Sequence, residues 1–275
     1  MRARKRFGQH FLHDPAIRKR ILEAIDPKPH ETILEIGPGQ GALTRLLLER
    51  IPSLWAVEID RDLARGLMAG WGDRLKLRVE DALSLDFRAW PEVAPFRVVG
   101  NLPYNVASPL LARLAAVKDR IQDLHVMLQE EVAARIVAGA GRDAYGRWSV
   151  FMAYHFVPEP LFRVSRGAFS PPPRVESAFI RLTPRREPPF PVGDPELYFS
   201  LVAQAFQGRR KMLQTSLKTQ ASRALLLQAG LDPCARPATV PPEGFAALAR
   251  LLSAERSSAG PAAAAEGSTR PFGCG

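Results

Sequence analysis

The sequence predicts an α/β chain: a doubly wound parallel sheet followed by a small helical domain. Three observations predict it. Short apolar runs alternate with segments of helical spacing as far as Leu182, the pattern of parallel strands joined by crossover helices. A glycine-rich turn follows the first long apolar run, and a carboxylate ends the second. After Thr183 the composition changes: Pro184, Pro188, Pro189, Pro191 and Pro195 mark a linker, and helical patterns lie beyond it. The expected division is a sheet domain over residues 1–183, a helical domain over 184–256 and a mobile tail over 257–275.

Composition bounds the class. With 275 residues, 46% of them hydrophobic and 24% charged, the chain can bury an ordinary globular core without a staple. No apolar run approaches the roughly 20 residues of a membrane span. Phe7-Gly8-Gln9-His10 follows the basic start in place of an apolar stretch, so no secretory signal is read. Cys234 and Cys274 lie far apart, which fits a reducing cytoplasm. The five histidines are scattered and offer no metal spacing. The net charge of +10 is concentrated in two places. Residues 1–20 carry seven cations, among them Arg4, Lys5 and Arg6, against Asp14 alone. Residues 207–223 carry Arg209, Arg210, Lys211, Lys218 and Arg223 and no acid. Such clustering is the footprint of a polyanion partner; two solvated helix faces are the plain alternative.

In chain order, Phe7 to Leu12 is too short and mixed for a core element, and reads as a loop over a ligand or as an apolar anchor. Asp14 caps a helix over 15–25, with Pro15 at its first position and Ile17, Ile21, Leu22 and Ile25 on one face. Strands are expected over 32–36, 54–57, 75–79, 96–99 and 124–128, with helices over 42–51, 108–117 and 130–138. Residues 148–157, apolar and aromatic, read as another strand, and 178–182 as the last. Beyond the linker, helices are expected over 197–206, 212–227 and 242–252.

Between the first strand and its helix lies Gly37-Pro38-Gly39-Gln40-Gly41. Its glycines permit positive φ and let a ligand approach the backbone. Glu58 ends the next strand 21 residues after Gly37, a position suited to ribose hydroxyls. The spacing Gly-x-Gly-x-Gly departs from the dinucleotide fingerprint, and Glu35 just ahead of the loop would repel a phosphate. A ligand bearing an amine or sulfonium would be welcome there. That points to S-adenosylmethionine over a nicotinamide dinucleotide, with Gly37, Gly39 and Glu58 as candidate cofactor residues. A simple strand–helix turn is the alternative. At the end of the third strand, Asp81 could accept from an adenine amine or cap a helix, and Ala82 is small enough for a ring to lie beside it.

The fourth strand runs into Gly100-Asn101-Leu102-Pro103-Tyr104-Asn105. These residue types suit the holding of an exocyclic amine on a flat ring. The Asn101 side chain and the Leu102 carbonyl can each accept from it. Pro103 stiffens the turn, and Tyr104 offers a face for stacking. An Asn-Pro turn with a core Tyr would use the same letters. Phe169, at the start of a Pro-rich loop running to Ser177, could complete a stacking pocket or simply fill the core.

Taken together, these segments resemble the small-subunit ribosomal RNA adenine N6,N6-dimethyltransferases. The match runs from about Arg4 to Leu252. It passes through Gly8-Gln9-His10-Phe11-Leu12, Glu35 to Gly41, Val57-Glu58-Ile59-Asp60, Asn101-Leu102-Pro103-Tyr104, Phe169 to Pro173 and Gly208-Arg209-Arg210-Lys211. The resemblance implies a Rossmann-type methyltransferase fold, a small helical RNA-binding domain, and S-adenosylmethionine as methyl donor. It implies that His10, Leu12, Gly37, Glu58, Asp81 and Asn101 contact that donor; many members carry Asn where His10 stands. It further implies double methylation of two adjacent adenosines near the 3′ end of 16S ribosomal RNA, in an immature small subunit. Asn101, Leu102, Tyr104 and Phe169 would surround the base; Arg4, Lys5, Arg6, Arg209, Arg210 and Lys211 would meet the RNA. No metal and no membrane are expected, and the chain is expected to act as a cytoplasmic monomer. A related large-subunit methylase of the antibiotic-resistance type would share this chemistry, and residues 9–12 and 208–211 favour the first reading. A non-catalytic assembly factor and a nicotinamide-dependent oxidoreductase are the further alternatives, the last disfavoured by the glycine spacing.

Overall fold

A computed structural model describes residues 9–103 and 106–258, which form two compact units. The first holds the chain up to Ala133 together with Phe156–Arg186; the second holds Ala134–His155 and the chain from Glu187. Residues 134–155 thus group with the helical part, and the later crossing falls close to the expected linker.

In the first unit the chain forms β1 (Phe11–Leu12), α1 (Pro15–Ile25), β2 (Ile33–Ile36), α2 (Ala42–Leu48), β3 (Leu54–Glu58) and α3 (Arg61–Trp71). There follow β4 (Leu75–Val79), β5 (Phe96–Asn101), α4 (Ala107–Ala115), β6 (Ile121–Gln129) and α5 (Glu130–Val137), whose second half already belongs to the second unit. After α6 (Arg147–His155) the chain returns as β7 (Phe156–Val164), β8 (Phe169–Ser170) and β9 (Ser177–Pro184).

The main sheet has the order β4-β3-β2-β5-β6-β9-β7. The strands from β4 through β6 run parallel. β9 pairs antiparallel with β6, and β7 antiparallel with β9, so parallel pairing holds across five strands and fails where β9 runs against the rest. Pro158 and Pro160 suit β7 to that edge, where a missing N–H costs no ladder bond. Asp14 caps α1 as expected, its Oδ1 accepting from Ala16 N at 2.8 Å and Ile17 N at 3.1 Å. Ile21, Ile25, Leu43, Leu47 and Leu67 from the helices pack with Ile33, Leu54, Ala56, Leu75 and Val99 from the strands. Burying each Leu or Ile contributes about 1.5–3 kcal/mol.

The stretch 148–157 is not a strand: α6 runs to His155, and β7 begins at Phe156. The segment is apolar on two helical faces. Val150 and Tyr154 enter the core of the second unit, while Trp148 stacks on Phe151 at 5.1 Å and Phe151 meets His155 at 4.6 Å. With both faces apolar, no helical period is visible.

The second unit continues with α7 (Pro195–Gln207), α8 (Leu213–Ser216), α9 (Arg223–Gln228) and α10 (Pro242–Ser258). Its core joins Tyr145, Val150 and Tyr154 to Tyr198, Leu201, Phe245 and Leu248. The single helix expected over 212–227 is two short ones. Ser222 starts the second, its Oγ accepting from Leu225 N at 3.2 Å. α10 extends past Leu252 to Ser258; 259–275, the rest of the expected tail, lie outside the described residues. Among the described residues, no helix is long and apolar enough to cross a membrane.

Candidate active site

Chain order and strand order place the site. From β2 the sheet grows one way through β3 and β4, and the other way through β5 and β6. A crevice opens at such a reversal, beyond the carboxyl ends of the strands. Here Ile36 of β2 pairs with Gly100 of β5, so Gly37 and Asn101 leave the sheet side by side. A cavity of about 350 Å³ lies there. His10, Leu12, Gly37, Gly39, Glu58, Asp81, Ala82, Asn101 and Leu102, all anticipated from sequence, line it.

The glycine loop is held from below. Gly37 and Gly39 have φ of 68° and 59°, values that side chains adopt at a cost. A Cβ built on Gly37 meets no atom within 4 Å, so the space over it is open to a ligand. Glu58 reaches back under the loop: its Oε2 accepts from Gly39 N and its Oε1 from Asp60 N, both at 2.9 Å. Burial raises the Glu58 carboxyl above its usual range, with the Asp60 and Gly39 amides working against that rise. Glu35 is fully buried and is pushed up to about 7 by burial, with Thr44 lowering it and Glu58 adding repulsion.

Asp81 lies at the cavity and caps a turn, not a helix. Its Oδ1 accepts from Leu83 N at 2.9 Å. At the other wall, Asn101 Nδ2 donates to the His10 carbonyl at 3.0 Å. A carbonyl can only accept, so the amide's NH2 end must face it. That leaves Oδ1 as the end that can accept. Leu102 is anchored by its N–H to Met127 O at 3.1 Å.

The segment 9–12 forms one side of the cavity. β1 pairs antiparallel with β8, Phe11 opposite Ser170 and Leu12 opposite Phe169. Phe169 is only 2% exposed and sits in the core of the first unit; the structure does not bring it into the cavity lining, because its strand pairing with Leu12 turns it inward. Tyr104, Arg4, Lys5 and Arg6 lie outside the described residues. Arg209, Arg210 and Lys211 are exposed in the second unit, in a turn closed by Lys211 N to Gly208 O at 2.7 Å.

Several lining residues were not anticipated. Phe11, Pro38, Ile59, Val106 and Leu110 give the cavity an apolar surface. Ile59 carried a readable signal: an apolar residue just past the strand-end acid, 42% exposed. The lining also holds Glu35, Glu58, Glu80 and Asp81 and, among the described residues, no lysine or arginine. A cation is favoured there and a pyrophosphate is repelled.

Comparison with known proteins decides the family. The profile of the ribosomal RNA adenine dimethylases matches residues 1–252. The chain belongs to the ribosomal RNA adenine dimethylase family. A relative from Laribacter hongkongensis named ribosomal RNA small subunit methyltransferase A is 45% identical over 246 residues, 89% of this chain and 94% of that one. The protein of the same name from Pseudomonas aeruginosa is 46% identical over 255 residues, 92% and 95% of the two chains. Among solved structures, the 23S rRNA methyltransferase ErmE is 31% identical with a TM-score of 0.70, covering 88% of this chain and 99% of its own. A dimethyladenosine transferase from Plasmodium falciparum shares the fold, with a TM-score of 0.75 at 24% identity, covering 90% of this chain and 98% of that one. As an adenine dimethylase the protein uses S-adenosylmethionine as methyl donor. The cavity fits that group: an acid beneath the loop, open space over Gly37, an apolar surface and an anionic lining.

Proposed function

We propose that this dimethylase acts on small-subunit ribosomal RNA, methylating N6 twice on each of two adjacent adenosines near the 3′ end of 16S RNA. The small-subunit substrate is supported by the relatives of that name at 45–46% identity, and the chemistry on an adenine amine by the orientation of Asn101, whose amide turns its acceptor end away from the His10 carbonyl. Glu58 would bind the ribose hydroxyls of the donor, Asp81 its adenine amine, and Ile59 the face of that ring. When bound, S-adenosylmethionine supplies an electrophilic methyl on a positive sulfur. Adenine N6 is a weak nucleophile because its lone pair is delocalised into the ring. Asn101 Oδ1 and the Leu102 carbonyl would each accept one N6 hydrogen and favour a pyramidal nitrogen. The lone pair would attack the methyl carbon in line as its bond to sulfur breaks, the sulfur leaving as a neutral thioether, and the surplus proton would then pass from nitrogen to water. Holding the two reactants in line can lower the barrier by roughly 7–11 kcal/mol. Extracting the base from its stack costs a few kcal/mol, which stacking on Tyr104 would offset. Arg209, Arg210 and Lys211, exposed in the second unit, would meet the RNA phosphates, and the site of action would be the cytoplasm, on the immature subunit.

A second reading has one observation behind it, the 31% identity to ErmE; relatives at 42–46% identity carry the small-subunit name. The test is incubation with radiolabelled donor and undermodified small or large subunits, followed by mapping of the label. Label on two adjacent small-subunit adenines is expected, and its loss in Asn101→Ala with RNA still bound. Label on the large subunit alone would overturn the assignment.

A further inference from the structure

Asn101 can face a base in only one useful way, and the structure contains a device that sets it. Its Nδ2 donates to the carbonyl of His10 at 3.0 Å. The imidazole of the same residue has its Nδ1 at 2.8 Å from the carbonyl of Pro171. That carbonyl can only accept, so the hydrogen is on Nδ1. The two bonds link the loop after β8, the strap at residues 9–12 and the end of β5 through one residue. We propose that His10 is a positioning residue: its ring pins the strap to Pro171 so that its backbone carbonyl holds the Asn101 amide acceptor-outward. The proposal rests on the reading of Asn101 as the acceptor for adenine N6.

The surroundings make this a rigid linkage. Directly after His10, Phe11 pairs with Ser170 and Leu12 with Phe169, and His13 N donates to Ala168 O at 2.9 Å. Phe11 lies against Gly39, its ring 3.3 Å from where a Cβ would stand. On the other side Gln9 Nε2 reaches Asp60 Oδ2 at 3.2 Å. The His10 ring fixes the one carbonyl between these anchors. A flipped Asn101 would set its oxygen against that carbonyl, acceptor on acceptor, so the linkage selects an incoming N–H donor and rejects a purine carbonyl. Donation from Nδ2 also strengthens Oδ1 as an acceptor, since hydrogen-bond chains polarise one another.

The experiment compares His10→Leu and His10→Asn with Asn101→Ala in the full chain, on undermodified small subunits. Leu puts a methyl where Nδ1 stood; Asn puts an Nδ2 donor at the same position on Cγ. His10→Leu is expected to lower kcat about tenfold, the worth of one lost hydrogen bond, beyond any loss of donor affinity from its place in the cavity lining, with little change in KM for subunits. His10→Asn is expected to recover most of that rate. A measurement free of turnover is the Asn101 side-chain amide resonance, whose hydrogen exchange should speed up in His10→Leu only. Equal rates in all His10 variants, or a His10→Leu defect confined to donor affinity, would overturn the proposal while leaving an inactive Asn101→Ala intact. If Asn101→Ala turns over normally, the reading of Asn101 fails first and takes this proposal with it.

Discussion

Thr44 Oγ1 donates to Glu35 Oε2 at 2.6 Å, joining the end of β2 to the first turn of α2. The helix begins at Gly41, which has no side chain to cap it. The place that a phosphate takes in dinucleotide folds is thus served by the protein's own carboxyl group.

That carboxyl sets a pH dependence. Its folded-state value, about 7, lies above the ordinary 4.5, chiefly through burial. The native state therefore keeps this proton longer than the unfolded chain. Stability falls as pH rises from about 4.5 to about 7, by up to ~3 kcal/mol from this group. Glu35→Gln should match the wild type in denaturant unfolding at pH 5 and exceed it at pH 8. A constant difference at both pH values would mean that Glu35 does not change charge.

The glycines of the loop should separate by role. Gly41 has φ of 80°, and a Cβ there would collide with the Trp71 ring. Gly41→Ala should cost ~2–4 kcal/mol from strain plus overpacking, read as a lower Tm. Gly37→Ala carries the φ penalty alone, ~1 kcal/mol, because nothing stands within 4 Å. Its methyl would intrude on the donor instead, so isothermal titration should find at least about tenfold weaker donor binding.

Arg97 should matter for stability and not for chemistry. Its guanidinium bonds Asp123 through Nε and Nη2 at 2.9 Å each and Glu31 through Nη1 at 2.8 Å. Arg97→Met leaves two carboxylates without their cation, at a cost of ~3–5 kcal/mol. Burial works to raise Asp123, but His125 and Arg97 beside it hold it below its usual value. A lowered carboxylate stabilises above its unfolded pKa, so the deficit of Arg97→Met should be full at pH 7 and shrink below about pH 4. Methyl transfer measured well below the lowered Tm should persist, because Arg97 stands four residues from Asn101, about 13 Å along β5.

Removing the charges of Arg209, Arg210 and Lys211 together should flatten the salt dependence of RNA binding. The log–log slope should fall by about 0.7–0.9 for each phosphate that is no longer neutralised. None of the three forms an ion pair among the described residues, although Arg209 donates to the Asp143 carbonyl. An unchanged slope would remove this turn from the interface.

Much of the site was legible in the sequence because its parts sit at strand ends. Glu58, Asp81 and Asn101 each follow an apolar run, and the rule that ligands lie beyond the carboxyl ends of parallel strands does the rest. What escaped notice depends on pairing across long stretches of chain. β1 and β8 are two residues each, too short for any period, and 157 residues separate Leu12 from its partner Phe169. Phe169 therefore read as a possible stacking face, when the ladder places it in the core. Helix α6 was hidden for the opposite reason: Trp148, Val150, Phe151 and Tyr154 cover one half of it and Met152 and Ala153 the other, so β propensity was the only local signal left.

The path of the chain has a genetic consequence. Residues 134–155 visit the helical half before β7 and β9 complete the sheet. Ending the coding region after Arg186 would leave Tyr145, Val150 and Tyr154 without Tyr198, Leu201 and Phe245 to cover them. Neither half is a contiguous exon-like block, so recombination cannot graft a foreign module in one crossover.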